Sequence, residues 1–264
     1  MRLRRFMRAM KAIVGLHHAN LVALCGAGKL GETCWFAMEY VEGETLTQVL
    51  ERLGTSKMIS WKYALAAGMQ IAGGLQALHE KRVVHRNVAP ENILIRSKDK
   101  AAKLGDMVLA ELQDGTEPPT ALKPGELMGC VPYMAPERTR NAPDVDIRAD
   151  IYSLGATLYT MIAGRPPFEG KSVTELVTRI RQEDPIPPKR FQDSLPDELQ
   201  DVVEKMLAKR PESRYQTPVQ VIRALGRVAK EQAALAEPGK SALIRLHGHT
   251  EPTPGATGAQ PRPR

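Results

Sequence analysis

Leu3, Phe6, Met7, Met10, Ile13 and Val14 recur at three- and four-residue spacing, which gathers them on one face of a helix and leaves the arginines for the other. Two strand-like segments follow, 20–25 and 33–40, and the glycine-rich stretch 26–31 between them predicts a hairpin turn. From Glu44 onward helical patterns dominate, at 44–53, over the Ala- and Gly-rich stretch 60–80, and at 148–163 with its apolar run 151–162.

Later helices carry start signals of their own. Ser172 with Glu175 reads as a capping box, Ser194 precedes Pro196 and two acids, and Thr217-Pro218 places a cap before a proline at the first helical position. Short Val/Ile/Leu segments at 83–84, 93–95 and 102–104 predict small strands beside an irregular loop, 107–134, of a length that in a compact domain is usually functional. Beyond Ala236 the chain turns to Pro, Gly, Thr, Ala and Arg without periodicity, the pattern of a disordered tail over 237–264.

Composition narrows the classes. With 42% hydrophobic and 25% charged residues in 264, the chain has enough apolar mass for a sizeable core. No apolar run approaches the roughly 18 residues of a membrane span. The formal charge of +7 suggests a nucleic-acid or acidic-membrane surface until it is divided along the chain. The first 31 residues carry six basic groups and no acid, and the last 28 carry four against two, so the body between is within about one charge of neutral. Binding through the basic ends would rest on charge alone, and nucleic acid is not the expected partner. Cys25, Cys34 and Cys130 form no C-x-x-C or metal-ligand spacing, which points to reduced thiols and a cytoplasmic protein. His247 and His249, alone in a polar tail, make a poor metal site. The Arg-rich start lacks the serines of an organellar presequence.

The segment Val84-His85-Arg86-Asn87-Val88-Ala89-Pro90-Glu91-Asn92-Ile93-Leu94 resembles the H-R-D-L-K-P-E-N-I-L loop of eukaryotic-type (Hanks-type) serine/threonine protein kinases. In matching order come Leu104-Gly105-Asp106-Met107-Val108 in the place of D-F-G, Met134-Ala135-Pro136-Glu137 in the place of A-P-E, Asp150 opening the central helix, and Arg214 as partner of Glu137. Upstream, His18-Ala19-Asn20-Leu21-Val22 and Met38-Glu39-Tyr40-Val41 resemble the strand entry and the hinge. The resemblance implies an α+β, protein-kinase-like fold, with an N-lobe reduced to one helix and a β-hairpin (1–42) on a mainly α-helical C-lobe (43–236). It implies ATP held at Met38, Glu39, Val41 and Leu94, and Mg²⁺ held by the hard oxygens of Asn92 and Asp106. Ile13, Leu24, His85 and Met107 would form a hydrophobic stack anchored by Asp150, and Glu137 with Arg214 a partly buried ion pair that braces the loop.

The departures fall on the chemical apparatus. The family's catalytic aspartate is Asn87, its loop lysine is Ala89, and the helix glutamate aligns with Ala9. Cys130 stands for the threonine that meets the first two, and Val108 for the D-F-G glycine. The chain starts after the family's glycine-rich loop and strand lysine, which implies weak ATP and Mg²⁺ binding and leaves sheet and helix surface for a protein partner. Gly26-x-Gly28-x-x-Gly31 matches a phosphate-loop pattern but follows the first helix instead of preceding it, so it reads as the hairpin tip. The expected function is a catalytically impaired, kinase-like binding or scaffolding domain in signalling. The alternative is a serine/threonine kinase transferring the ATP γ-phosphate to protein hydroxyls, with a mis-assigned start or weak residual activity. In the long loop, Thr116 and Thr120 are candidate phosphorylation sites within reach of Arg86.

Overall fold

The computed structural model describes residues 2–31, 33–54, 58–113, 127–140 and 145–236. The chain divides into two compact units, Met1–Val228 and Ala229–Arg264, and of the second only the last turns of one helix are described. The expected tail over 237–264, with His247 and His249, lies outside the described residues, as do Thr116 and Thr120.

Helix α1 (Arg2–Ile13) buries Met10 and Ile13, as the spacing predicts, and also Ala9. Val14, expected on the same face, follows the helix end and is 44% exposed. The hairpin is displaced from its expected position. Its strands are β1 (Leu24–Leu30) and β2 (Thr33–Met38), antiparallel, with Gly28 opposite Trp35. Of the glycines expected to form the turn, Gly26 and Gly28 thus lie in β1 itself, and Gly31, at φ 59°, stays in the turn. The reason is packing: a Cβ on Gly28 would stand 2.7 Å from the Trp35 ring. Residues 20–22, read as strand, instead run beside a later strand as an isolated parallel bridge, Leu21 to Leu104.

A three-stranded antiparallel sheet, β3 (Gly43–Thr45), β5 (Ile93–Arg96) and β6 (Ala102–Leu104), and a two-stranded pair, β4 (Val83–Val84) with β7 (Glu111–Leu112), frame the loops of interest. Helix α2 (Leu46–Arg52) starts two residues later than the pattern at 44–53 suggests, because β3 takes the first residues and Thr45 closes a capping box with Gln48. Helix α3 (Trp61–Glu80) packs on α5 (Arg148–Ala163). Every residue of α5 from Ala149 to Ala163 is buried, so its apolar character runs all round. Its buried hydroxyls on Ser153, Thr157 and Thr160 donate to the carbonyls four residues earlier, at 3.0, 2.9 and 2.9 Å.

The rest of the helical side comprises α4 (Pro136–Thr139), α6 (Val173–Gln182), α7 (Asp197–Met206) and α8 (Pro218–Ala236). Ser172 caps α6 by accepting from Glu175 N at 3.1 Å, but the Glu175 carboxylate accepts from Lys171 N rather than closing the box on Ser172. Ser194 caps nothing: α7 begins after Pro196, without a side-chain cap. The expected irregular loop 107–134 contains β7 and short 3-10 turns at Met107–Leu109 and Val131–Tyr133.

Candidate functional site

After β4 the chain turns sharply at Arg86, whose φ is 68°, runs extended through Ala89, and makes a 3-10 turn over Pro90–Asn92 into β5. After β6 it turns again at Asp106, left-handed at φ 52°. Both turns place a non-glycine residue at positive φ, the kind of local strain that persists only where surrounding bonds enforce it.

At Arg86 the bonds come from Asp150, in the first turn of α5 and fully buried. Its carboxylate accepts from His85 N and Arg86 N at 2.8 Å each, and meets His79 Nε2 at 2.9 Å. Burial works to raise the Asp150 pKa, but the His79 hydrogen bond and the two imidazoles bring it below the ordinary carboxylate value. His85, also fully buried, accepts from Asn87 N at Nδ1 (3.2 Å) and faces Gly105 O through Nε2 at 2.9 Å. That network assigns the neutral Nε2–H tautomer. Burial pushes the imidazole pKa down, in agreement. Ile13, Leu24 and Met107 are buried as expected, and α1 packs on β1 and on the turn at Met107–Leu109.

Asn87 is the centre of the arrangement. Its Nδ2 donates to Asp106 Oδ2 at 3.3 Å, its Oδ1 accepts from Cys130 N at 3.1 Å, and its carbonyl accepts from Asn92 Nδ2 at 2.8 Å. Gly129, at φ 103°, permits this approach, since a Cβ there would come within 2.7 Å of Asn87 Oδ1. Ala89 is fully buried and supplies only a methyl group. The Cys130 thiol is pushed up to about 12 by burial and by the neighbouring Glu91 carboxylate, so it stays protonated at neutral pH.

The donor set on Asn92 and Asp106 suits a hard cation. Gly105 N donates to Asn92 O at 2.8 Å, which brings the two segments together. With its Nδ2 committed to Asn87, Asn92 keeps Oδ1 as a hard acceptor, while among the described residues Asp106 accepts long bonds of 3.3 Å, from Val108 N and Asn87 Nδ2. Among the described residues no group of three or more His, Cys, Asp or Glu forms a metal cluster.

At the expected hinge, Met38 ends β2 half exposed, Val41 is buried and Leu94 lies half-buried in β5. At Glu39 the N–H donates to Ala23 O at 2.8 Å, which leaves its carbonyl as the backbone group open to an adenine edge. The Glu39 side chain is engaged too, accepting from Ala23 N at 3.1 Å and pairing with buried Lys103 at 3.0 Å. Burial raises the Glu39 pKa less than these partners lower it, so the net shift is downward. Lys103 escaped the sequence reading, although a lysine in the short apolar strand Ala102–Leu104 was a visible signal.

Glu137 and Arg214 form the expected brace, bidentate at 2.7 and 2.8 Å, with Arg214 also donating to Ala208 O, Arg148 O and Lys209 O. Arg86 pairs with Glu111 on β7, a partner that nothing in the local sequence announced.

A model of the protein kinase domain matches residues 2–224. The chain is 32% identical over 228 residues to a probable serine/threonine-protein kinase of Clostridium perfringens, covering 86% of this chain and 32% of that protein. It is 34% identical over 229 residues to the serine/threonine-protein kinase PknB of Mycobacterium tuberculosis, covering 85% and 36%. It thus spans about a third of the length of these relatives. Among solved structures, the PknI kinase domain of Mycobacterium tuberculosis superposes with a TM-score of 0.66 at 26% identity, over 85% of this chain and 78% of that one.

Proposed function

This chain belongs to the protein kinase family, and within it we propose a domain impaired in phosphoryl transfer that acts in signalling by binding a protein partner. The observation that carries this reading is the Asn87 amide set between Asp106 and Cys130. A substrate hydroxyl needs a basic oxygen to take its proton, and an amide is not one at neutral pH. Loss of a general base typically costs about 10²–10⁴ in rate. Ala89 adds no positive charge where a transferring phosphoryl group would need one, and buried Ala9 in α1 offers no carboxylate to orient a lysine.

The family uses ATP and Mg²⁺. Asp106 and Asn92 would hold the cation, and the Glu39 carbonyl, Val41 and Leu94 would frame the adenine. The cation would supply charge neutralisation to the phosphates. What this chain's residues contribute is orientation: Asp150 fixes His85 and Arg86, and His85 fixes Asn87. Exposed Leu30, Trp35, Met38 and Tyr40 on and after the hairpin supply apolar surface of the kind a protein partner covers. Free thiols at Cys25 and Cys130 fit a reducing cytoplasm, and among the described residues no helix is long and apolar enough to cross a membrane.

The retained oxygens of Asp106 and Asn92 favour a second reading, a serine/threonine kinase with weak residual transfer. Incubating the full chain with γ-labelled ATP, Mg²⁺ and a generic protein substrate separates the two. No label should transfer, and Asn87→Asp alone should not restore transfer, because Ala89 and Ala9 remain. Transfer that disappears in Asp106→Ala would establish the second reading instead.

A further inference from the structure

We infer that Glu111 is the built-in counter-ion of Arg86, and that this pair, rather than a phosphate on Thr116 or Thr120, holds the segment after Asp106 against the 85–92 loop. The β4–β7 ladder sets Glu111 directly opposite Val84. Two residues on, the left-handed turn at Arg86 swings its guanidinium back over β7, where it pairs with the Glu111 carboxylate. The two side chains are only 15% and 11% exposed, so water and salt screen the pair little.

A second guanidinium raises the demand for that carboxylate. Arg138, from α4, donates to the Arg86 carbonyl and, at 2.9 Å, to Met128 O, tying Met128 to the same place. Burial first, and then the like charge of Arg86, bring the Arg138 pKa down to about 10. Nearby carboxylates are committed elsewhere: Asp150 accepts the main-chain N–H groups of His85 and Arg86, and Glu137 is bidentate to Arg214. Among the described residues, Glu111 is the carboxylate that meets the Arg86 guanidinium. Removing it would leave two desolvated cations side by side, which is costly. The role of Glu111 is positioning, and it holds whether or not the site transfers phosphate.

Hydrogen exchange of the full chain, read on peptides covering 107–113 and 127–135, tests this. Protection should be unchanged after phosphatase treatment and in the Thr116→Ala/Thr120→Ala double variant. It should fall by about tenfold or more in Glu111→Gln, in line with a net value of about 1.5 kcal/mol for a charge-assisted contact. Glu111→Asp should keep most of it. In Glu111→Ala, added inorganic phosphate should restore part of the protection by taking the carboxylate's place beside Arg86 and Arg138, while the native chain should not respond. Lost protection in the phosphatase-treated or threonine-substituted chain, or full protection in Glu111→Gln, would overturn the inference. If Glu111→Gln does not fold, the phosphatase and threonine arms decide it.

Discussion

The Asn87 amide donates to an Asp106 carboxylate oxygen across 3.3 Å, in a position where two carboxylates would repel each other unless a cation lay between them. A neutral donor there does part of what a cation would do, satisfying the aspartate without a metal. Asn87→Asp should therefore lower stability by about 1–2 kcal/mol in metal-free buffer, the scale of one close like-charge pair at an effective dielectric well above the dry-protein limit. Mg²⁺ or Mn²⁺ should raise the Tm of the variant more than that of the native chain. Thermal denaturation with and without cation reads both, and equal responses would refute the account.

The brace between Glu137 and Arg214 is bidentate and part-buried, with Arg214 only 2% exposed. Truncating one partner leaves the other charge desolvated, which typically costs about 3–5 kcal/mol. Urea unfolding of Arg214→Met should show that loss. The double variant with Glu137→Leu should be less destabilised than the single change, a non-additivity that a purely packing role would not produce.

The His85 imidazole is kept neutral by burial, its pKa lying below the unfolded value of about 6.5. With a folded pKa below the unfolded one, the unfolded state takes up the proton first as pH falls. The stability from keeping His85 neutral is complete above about pH 6.5 and declines below it, by up to about 1.4 kcal/mol per pH unit. Denaturant midpoints between pH 7 and 5 should follow that slope. The slope should shrink in His85→Phe, whatever its absolute stability, and an unchanged slope would assign it to other groups.

Cys130 sits under a burial penalty that holds its thiol pKa at about 12. At pH 8 its thiolate fraction should be lower than that of an ordinary cysteine by on the order of 10³, and alkylation correspondingly slower. Peptide mapping after iodoacetamide treatment should find Cys130 unmodified in the folded chain and modified after denaturation. Exposed Cys25 serves as the internal control.

Long elements with one dominant signal were legible in the sequence. Helix α5 matches its expected bounds because a largely apolar run without Pro or charge from Ile151 onward ends at Gly164, whose φ of 73° terminates the helix. The buried positions of His85, Asp150 and Arg214 and the half-buried one of Glu137 followed from the family pattern. What escaped is set by contacts distant in sequence. Strands β3 and β7 span three and two residues, too few for any periodicity, and exist because β5 and β4 offer them edges. The glycines of β1 read as a turn because turn and strand glycines look alike until Trp35 is seen lying on Gly28. Arg86 and Glu111 stand 25 residues apart and meet only through the β4–β7 register.

The Trp35 ring, packed across Gly28, also gives the hairpin an optical reporter. The chain has two tryptophans, and the other, Trp61, opens α3 on the helical side. In a Trp61→Phe background all indole emission comes from β2. Since Trp35 is 48% exposed, any partner that covers the hairpin should shift that emission to the blue and shield it from acrylamide quenching, without a label.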